Sequence, residues 1–257
     1  MNIKMIVTDL DRTLLQSDKT ISDYTAKALA RCREKGIKVV FATARPLRLI
    51  QDYLAKIPVD AVIANNGATV VIDNETVCEH NIATDVKDAI LHDLAFEPAI
   101  TRMSAESGNH LLSGYEPPKM LVNSNRWNAI RTDFTKTVTA PLCKISVHCD
   151  TPKIPLSIVA KYPSLHVYSV TGEDLYSILD EHSSKSNGIK DISKRFGISN
   201  AEIAAFGDDY NDIEMLQSCG IGVAVENALN EAKAAADYIC GSNDEDGVAK
   251  WIEGNLT

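Results

Sequence analysis

Residues 6–18 read IVTDLDRTLLQSD. An apolar stretch runs directly into Asp9 and Asp11, and Arg12 follows the second acid. Side chains two apart on a strand point to the same side, so the two carboxylates can converge on one point. Like charges that close are unfavourable unless a proton or a cation separates them. A hard divalent cation with oxygen ligands resolves the conflict. Magnesium fits, because it takes one or two carboxylates and fills its remaining positions with water and substrate phosphate.

The strand KMIVTDL (4–10) is the first of several with the same character. KVVFATA (38–44), DAVIANNG (60–67), EIAAFGDD (202–209) and GIGVAV (220–225) are near-continuous apolar runs, as expected of strands covered on both faces. Helices are predicted between them. One covers 22–35, with Ser22 as N-cap and Gly36 as its stop, and one runs from Pro46 to about Lys56. Others start at 186, ending near Gly197, and cover 211–218, 227–235 and 244–254. Alternating strands and helices imply a parallel sheet. The fold class is therefore α/β, a Rossmann-like parallel sheet core with helices on both faces.

The pattern changes between 84 and 180. Helices are expected at 84–95, 124–135 and 152–161, with shorter, more polar strands at 99–104, 109–113, 118–122, 142–149, 165–170 and 174–180. This reads as an α+β module, a cap inserted at 84–180 between core segments 1–83 and 181–257.

The chain has 257 residues, a net charge of -9 and 45% hydrophobic residues, enough for a sizeable core. The acidic balance argues against nucleic acid, since no basic field would draw in phosphate backbones. No apolar run approaches the ~18 residues of a membrane span. The N-terminal residues lack a signal peptide's long apolar region and cleavage site, so a cytoplasmic protein is expected, with no obligate protein partner evident. The six cysteines show no C-x-x-C spacing and read as reduced thiols. A metal site on Cys143, His148 and Cys149 is disfavoured by the alternation of KISVHCD.

Ligands of open parallel sheets bind beyond the carboxyl ends of the strands. The polar residues expected there are Asp9, Asp11, Thr43, Asn65, Asn66, Asp208, Asp209, Asn211 and Asp212. Lys185 opens the helix after the insert. Asp208 can complete a metal site, Thr43 and Lys185 are uncharged and cationic donors suited to phosphate oxygens, and an aspartate can act as a nucleophile. Asn65 and Asn66 can also simply shape the turn before Gly67.

The set DLDRT (9–13), FATAR (41–45), Lys185 and GDDYND (207–212) resembles the haloacid dehalogenase superfamily. NNGA (65–68), the insert and the ending VAVENALNEAKAAADYI resemble its Cof-type phosphatases with a class-two (IIB) cap. That resemblance implies a magnesium-dependent phosphatase acting on a small phosphorylated metabolite of the sugar phosphate, pyridoxal phosphate or flavin mononucleotide type. It assigns Asp9 as nucleophile and Asp11 as acid/base. It assigns Asp9, the Asp11 carbonyl and Asp208 to the metal, and Asp212 to metal-bound water or to orienting other groups. Thr43, Lys185 and Asn211 would bind phosphate, and Arg12, Ala44 and Asn66 are candidates for touching substrate.

Two positions depart from the family pattern. Arg12 and Ala44 stand where it commonly has glycine. Arg12 either turns to solvent or pairs with a nearby acid, or else it contacts an anionic substrate. His182 is expected at the surface, and Tyr115, Trp127, Tyr162 and Tyr168 as packing residues. Competing readings are a phosphomutase, a non-catalytic phosphometabolite sensor, and a glycosyltransferase using D-L-D. The last leaves Thr43, Lys185 and GDDYND unexplained.

Overall fold

The structure, a computed structural model, describes residues 2–116 and 127–256. The chain divides into two compact units. One comprises Met1–Arg45, Ile50–Cys78 and Ser184–Thr257, the other Pro46–Leu49 and Glu79–Ser183. These limits differ by a few residues from the sequence-based 84 and 180, and the short segment Pro46–Leu49 groups with the second unit.

The first unit is built on eight strands: β1 (Met5–Thr8), β2 (Lys38–Ala42), β3 (Ala61–Ala64), β4 (Thr69–Ile72), β5 (Glu75–Glu79), β12 (Ile203–Gly207), β13 (Ile221–Ala224) and β14 (Tyr238–Ile239). Their order is β14-β13-β12-β1-β2-β3-β4-β5, parallel from β14 to β3 and antiparallel between β3 and β4. Every residue of β1, β3, β12 and β13 is buried. Because consecutive strand residues face opposite ways, both sheet faces are covered. Helices Asp23–Glu34 and Gly247–Leu256 pack on one another, as do Lys185–Phe196 and Ile213–Ser218. Ser22 caps the first of these by accepting from the Thr25 N–H at 3.0 Å.

Several elements differ from their sequence-based outlines. The helix expected from Pro46 to Lys56 breaks into a tight turn, Leu47–Leu49, and a short helix, Gln51–Lys56. The expected strand 60–67 stops at Ala64, because Asn65, Asn66 and Gly67 all take positive φ. The β4–β5 hairpin was missed. Asp73 and Asn74, both at positive φ, make its two-residue turn.

The second unit holds a six-stranded sheet of β6 (Arg102–Ser107), β7 (His110–Ser113), β8 (Ala129–Arg131), β9 (Lys144–His148), β10 (Leu165–Ser169) and β11 (Leu175–Asp180), ordered β10-β11-β9-β6-β7-β8. One face packs Met103, Ala105, Ile145, Val147, Tyr176 and Ile178 with Ile90, Leu94 and Ile158, which lie on helices Thr84–Ala95 and Lys153–Val159. The expected helix 124–135 is corrected. Residues 129–131 form β8, parallel to β7, and the Asn128 carbonyl accepts from the Leu111 N–H. Pairing to an open sheet edge outweighs local helix periodicity there. The expected strand 118–122 and residues 124–126 lie outside the described residues. Arg48 joins this unit through a buried ion pair, its Nη1 and Nη2 donating to Glu106 at 2.5 and 3.0 Å.

All six cysteines are free thiols. Cys143 and Cys149 are buried, while His148 turns to Asp174 at 3.0 Å. Among the described residues no helix is long and apolar enough to cross a membrane.

Candidate active site

The register of the parallel sheet creates the site. Thr8 of β1 pairs with Phe206 of β12 on one side and Phe41 of β2 on the other. Asp9, Thr43 and Asp208 therefore leave three adjacent strands at the same edge. Asp9 is anchored by its N–H, which donates to the Phe206 carbonyl at 2.9 Å.

Asp9, Asp208 and Asp212 each bring a carboxylate oxygen within 4.8 Å of the others. All three are buried, and so is Lys185, at 1% exposure. Lys185 Nζ donates to Asp9 Oδ1 and to Asp212 Oδ1, each at 2.6 Å. Lys185 starts the helix Lys185–Phe196, which Ser184 caps by accepting from the Asn187 N–H. Lys190, by contrast, is exposed and donates to Asn187 Oδ1.

Asp212 organises the loop that carries Asp208. Its Oδ2 accepts from the N–H groups of Asp208 and Asp209, at 2.9 and 3.1 Å. Gly207 is required beneath it, because a Cβ there would lie 2.5 Å from the Asp212 Cβ. With Oδ2 on the backbone and Oδ1 on Lys185, Asp212 is placed to orient rather than to move. Asp209 lies at the loop's rim and accepts from the Tyr210 N–H.

The charges do not balance. Ionised, the three aspartates exceed the buried Lys185 by two charges, and only the half-exposed Arg12, 3.7 Å from Asp208, stands against the remainder. Burial raises the Asp9 carboxyl well above the usual range; Lys185 opposes this, and Asp212, Asp208 and Asp11 add to it. Burial, then Asp212, push Asp208 up to about 7 against the hydrogen bond from Thr13 and the charges of Lys185 and Arg12. Burial works against the Lys185 charge, yet Asp212 and Asp9 outweigh it and hold the ammonium well above its ordinary value. An all-oxygen set that stays net negative fits a hard divalent cation.

Asp11 is turned elsewhere. Arg45 grips its carboxylate with Nε and Nη2, both at 2.6 Å, and Lys19 Nζ adds a contact at 2.9 Å. Burial raises the Asp11 carboxyl, but Arg45 and then Lys19 carry it below the usual range. Thr43 is buried and its Oγ1 accepts from the Arg45 N–H at 3.1 Å. Ala44, half-buried, offers only a methyl group between them.

Asn211 Nδ2 donates to Asn66 Oδ1 at 2.7 Å, joining the ends of β3 and β12. Asn65 and Asn66 do shape the turn, at φ 51° and 55°. At Gly67, with φ 95°, a Cβ would lie 2.1 Å from the Ser184 carbonyl oxygen, so this turn packs directly on the N-terminus of the Lys185 helix.

Arg12 has φ 62°. Its Nη2 donates to the Asn227 carbonyl at 3.3 Å, and its Nε lies 3.7 Å from Asp208 Oδ2. It pairs with an acid, the first of the two readings above. His182 is exposed, and Tyr162 packs against the second unit's core.

Sequence reasoning gave no role to Thr13, Lys19, Arg45 or Asn227. Thr13 Oγ1 donates to Asp208 Oδ1 at 2.8 Å. Asn227 donates to the Arg12 carbonyl at 2.7 Å and accepts from the Asn243 N–H at 2.9 Å. Thr13 and Arg45 stand inside quoted motifs, which was the available signal. Asn227 likewise stands in the quoted VAVENALNEAKAAADYI, while Lys19 carried no signal.

This fold and strand-end acid cluster define a class: the chain belongs to the haloacid dehalogenase-like hydrolase family, which matches it over residues 6–252. It is an enzyme of that family's phosphatase branch. It is similar to the putative phosphatase YxeH of Bacillus subtilis, with 30% identity over 97% of each chain. It is also 27% identical to the 5-amino-6-(5-phospho-D-ribitylamino)uracil phosphatase YitU of Bacillus subtilis, covering 97% of this chain and 96% of that one. Its fold matches that of the subclass IIB sugar phosphatase BT4131 at a TM-score of 0.82, with 24% identity over 98% of both chains.

Proposed function

We propose that the protein hydrolyses the monoester of a small phosphorylated metabolite through an aspartyl-phosphate on Asp9, with magnesium bound by Asp9, the Asp11 carbonyl and Asp208. The observation that carries this reading is the buried Asp9–Asp208–Asp212 cluster, which stays net negative with Lys185 and Arg12 both counted and so suits a divalent cation. The ion supplies charge neutralisation for the phosphoryl oxygens.

In the first step an Asp9 carboxylate oxygen attacks phosphorus, and the bond from phosphorus to the ester oxygen breaks. Asp11 gives its proton to that leaving oxygen. In the second step water attacks phosphorus, Asp11 takes the water's proton, and phosphate leaves Asp9. Arg45 holds Asp11 as the carboxylate, the form the second step needs. To serve the first, Asp11 leaves Arg45 and carries a proton taken from solvent, or kept from the second step of the previous turnover, to the leaving oxygen. Lys185, Thr43 and Asn211 bind the phosphoryl oxygens, and positioning with charge stabilisation supplies most of the catalysis.

The relative YitU acts on a phosphorylated ribityl chain, as its name states. Phosphorylated sugars and polyols therefore lead the substrate panel, with pyridoxal phosphate and flavin mononucleotide beside them. The test is phosphate release from that panel with magnesium, with chelator and with Asp9→Asn. Release that needs both magnesium and Asp9 supports the reading. Release that survives either removal, or tight binding of a phosphoester without turnover, overturns it.

A further inference from the structure

Arg12 is built into the acid cluster in a way the phosphatase mechanism does not use. Its backbone lies in the left-handed region, at φ 62°, where glycine is at ease and arginine is not. Asn227 grips it from two sides, taking a hydrogen bond from Nη2 on its carbonyl and donating Nδ2 to the Arg12 carbonyl. So held, the guanidinium sends Nε to within 3.7 Å of Asp208 Oδ2. The other Asp208 oxygen already accepts from Thr13. Arg12 thus faces the oxygen of Asp208 that Thr13 leaves open.

Two cations serve this cluster, and they are held differently. Lys185 is fully buried with two hydrogen bonds of 2.6 Å to its acids. The Arg12 side chain is 45% exposed, and its approach to Asp208 is an ion pair without hydrogen-bond contact. One cation is fixed by two short hydrogen bonds to the acids themselves; the other is half-exposed, its single side-chain hydrogen bond is the longer one to the Asn227 carbonyl, and it has none to Asp208.

We propose that Arg12 is a displaceable counter-cation for Asp208, so that a divalent ion must compete with it for the site and binds more weakly because of it. This inference rests on the metal-dependent reading above. It makes Arg12 a residue that sets metal affinity, a role distinct from contact with substrate.

The experiment is calorimetric titration of Mg2+ into wild-type protein, Arg12→Gly, Arg12→Met and Asp208→Asn, without substrate. Both Arg12 variants remove the charge, and only glycine also relieves the left-handed backbone. The dissociation constant for Mg2+ is expected to fall about 3- to 30-fold in both at low ionic strength, as loss of one nearby positive charge predicts. The gap should narrow in about 0.5 M salt, where screening is short-ranged. An unchanged or weaker affinity in both variants overturns the proposal. Tightening in Arg12→Gly alone also overturns it, because backbone strain would then be the cause. If wild-type protein takes up no Mg2+ and matches Asp208→Asn, the metal reading itself fails and this inference falls with it.

Discussion

The guanidinium of Arg45 holds both carboxylate oxygens of Asp11, Nε on Oδ2 and Nη2 on Oδ1, each at 2.6 Å. Tyr53 supports this clamp. Its hydroxyl accepts from Arg45 Nη1 at 3.4 Å and donates to the Lys19 carbonyl at 3.1 Å. A lysine keeps the charge but cannot form the two-point contact. Arg45→Lys is therefore expected to lower kcat by about 10- to 100-fold, in line with the loss of a group that orients the proposed acid/base Asp11. Because Arg45 holds Asp11 in the carboxylate form that the proposed second step uses, the loss should be similar for esters with good and poor leaving groups. A loss confined to poor leaving groups would place Arg45 in the first step instead.

On the proposed metal-dependent reading, removal of Mg2+ should cost stability. Binding to the folded state alone stabilises by a term that grows with free ligand concentration. The wild-type melting temperature is expected to rise with added Mg2+ and to fall back with chelator. In Asp208→Asn the rise should disappear at the same concentrations, because the cluster becomes less negative and one proposed ligand is lost. A full Mg2+ response in that variant would move the ion away from Asp208.

Gly207 lies under Asp212, with no room for a Cβ. Gly207→Ala should push Asp212 off the N–H groups of Asp208 and Asp209 and loosen Lys185. The expected cost is about 1–3 kcal/mol, typical of overpacking a well-packed site, with phosphatase activity lost in excess of the stability change. Denaturant unfolding and kcat/KM on one substrate measure both. Wild-type activity in a destabilised variant would show that the loop tolerates the shift.

Asp60 gives a pH-dependent prediction away from the site. It accepts from the Val39 N–H and Lys38 Nζ at 3.0 Å and from Arg33 Nε at 3.2 Å, tying helix Asp23–Glu34 to β2. Burial raises its carboxyl, but these partners outweigh that and hold it below the usual range. The folded state thus binds its proton more weakly than the unfolded chain. Its stabilisation is complete above the unfolded carboxylate value of about 4 and is lost as pH falls through the lower folded value. Asp60→Asn should destabilise at pH 7 and flatten the stability profile below about pH 4. Parallel profiles for the two proteins would contradict this.

The core strands were legible because burial on both faces leaves a continuous apolar run, and 5–8, 38–42, 203–207 and 221–224 all carry one. Asp9, Thr43 and Asp208 were legible because they follow those runs directly, and Asp212 because it closes the acidic loop GDDYND that Asp208 opens. Residues 129–131 were misread because an edge strand takes its hydrogen bonds from a neighbour, and no local pattern names that neighbour. The β4–β5 hairpin was overlooked although Asp73-Asn74 marks its turn.

The sequence by itself determined which strands enter the core sheet and which polar residues end them, because both depend on order along the chain and on alternation of hydrophobicity. Only the tertiary structure decided which of those residues meet. Lys185 reaches Asp9 across 176 positions, and Arg12 reaches the Asn227 carbonyl across 215. It also decided that Asp11 turns to Arg45 and that Arg12 turns to Asp208. Such partners are chosen by strand register and by the packing of loops that carry no shared period. The pull of a buried charge acts through space, whatever the separation in sequence.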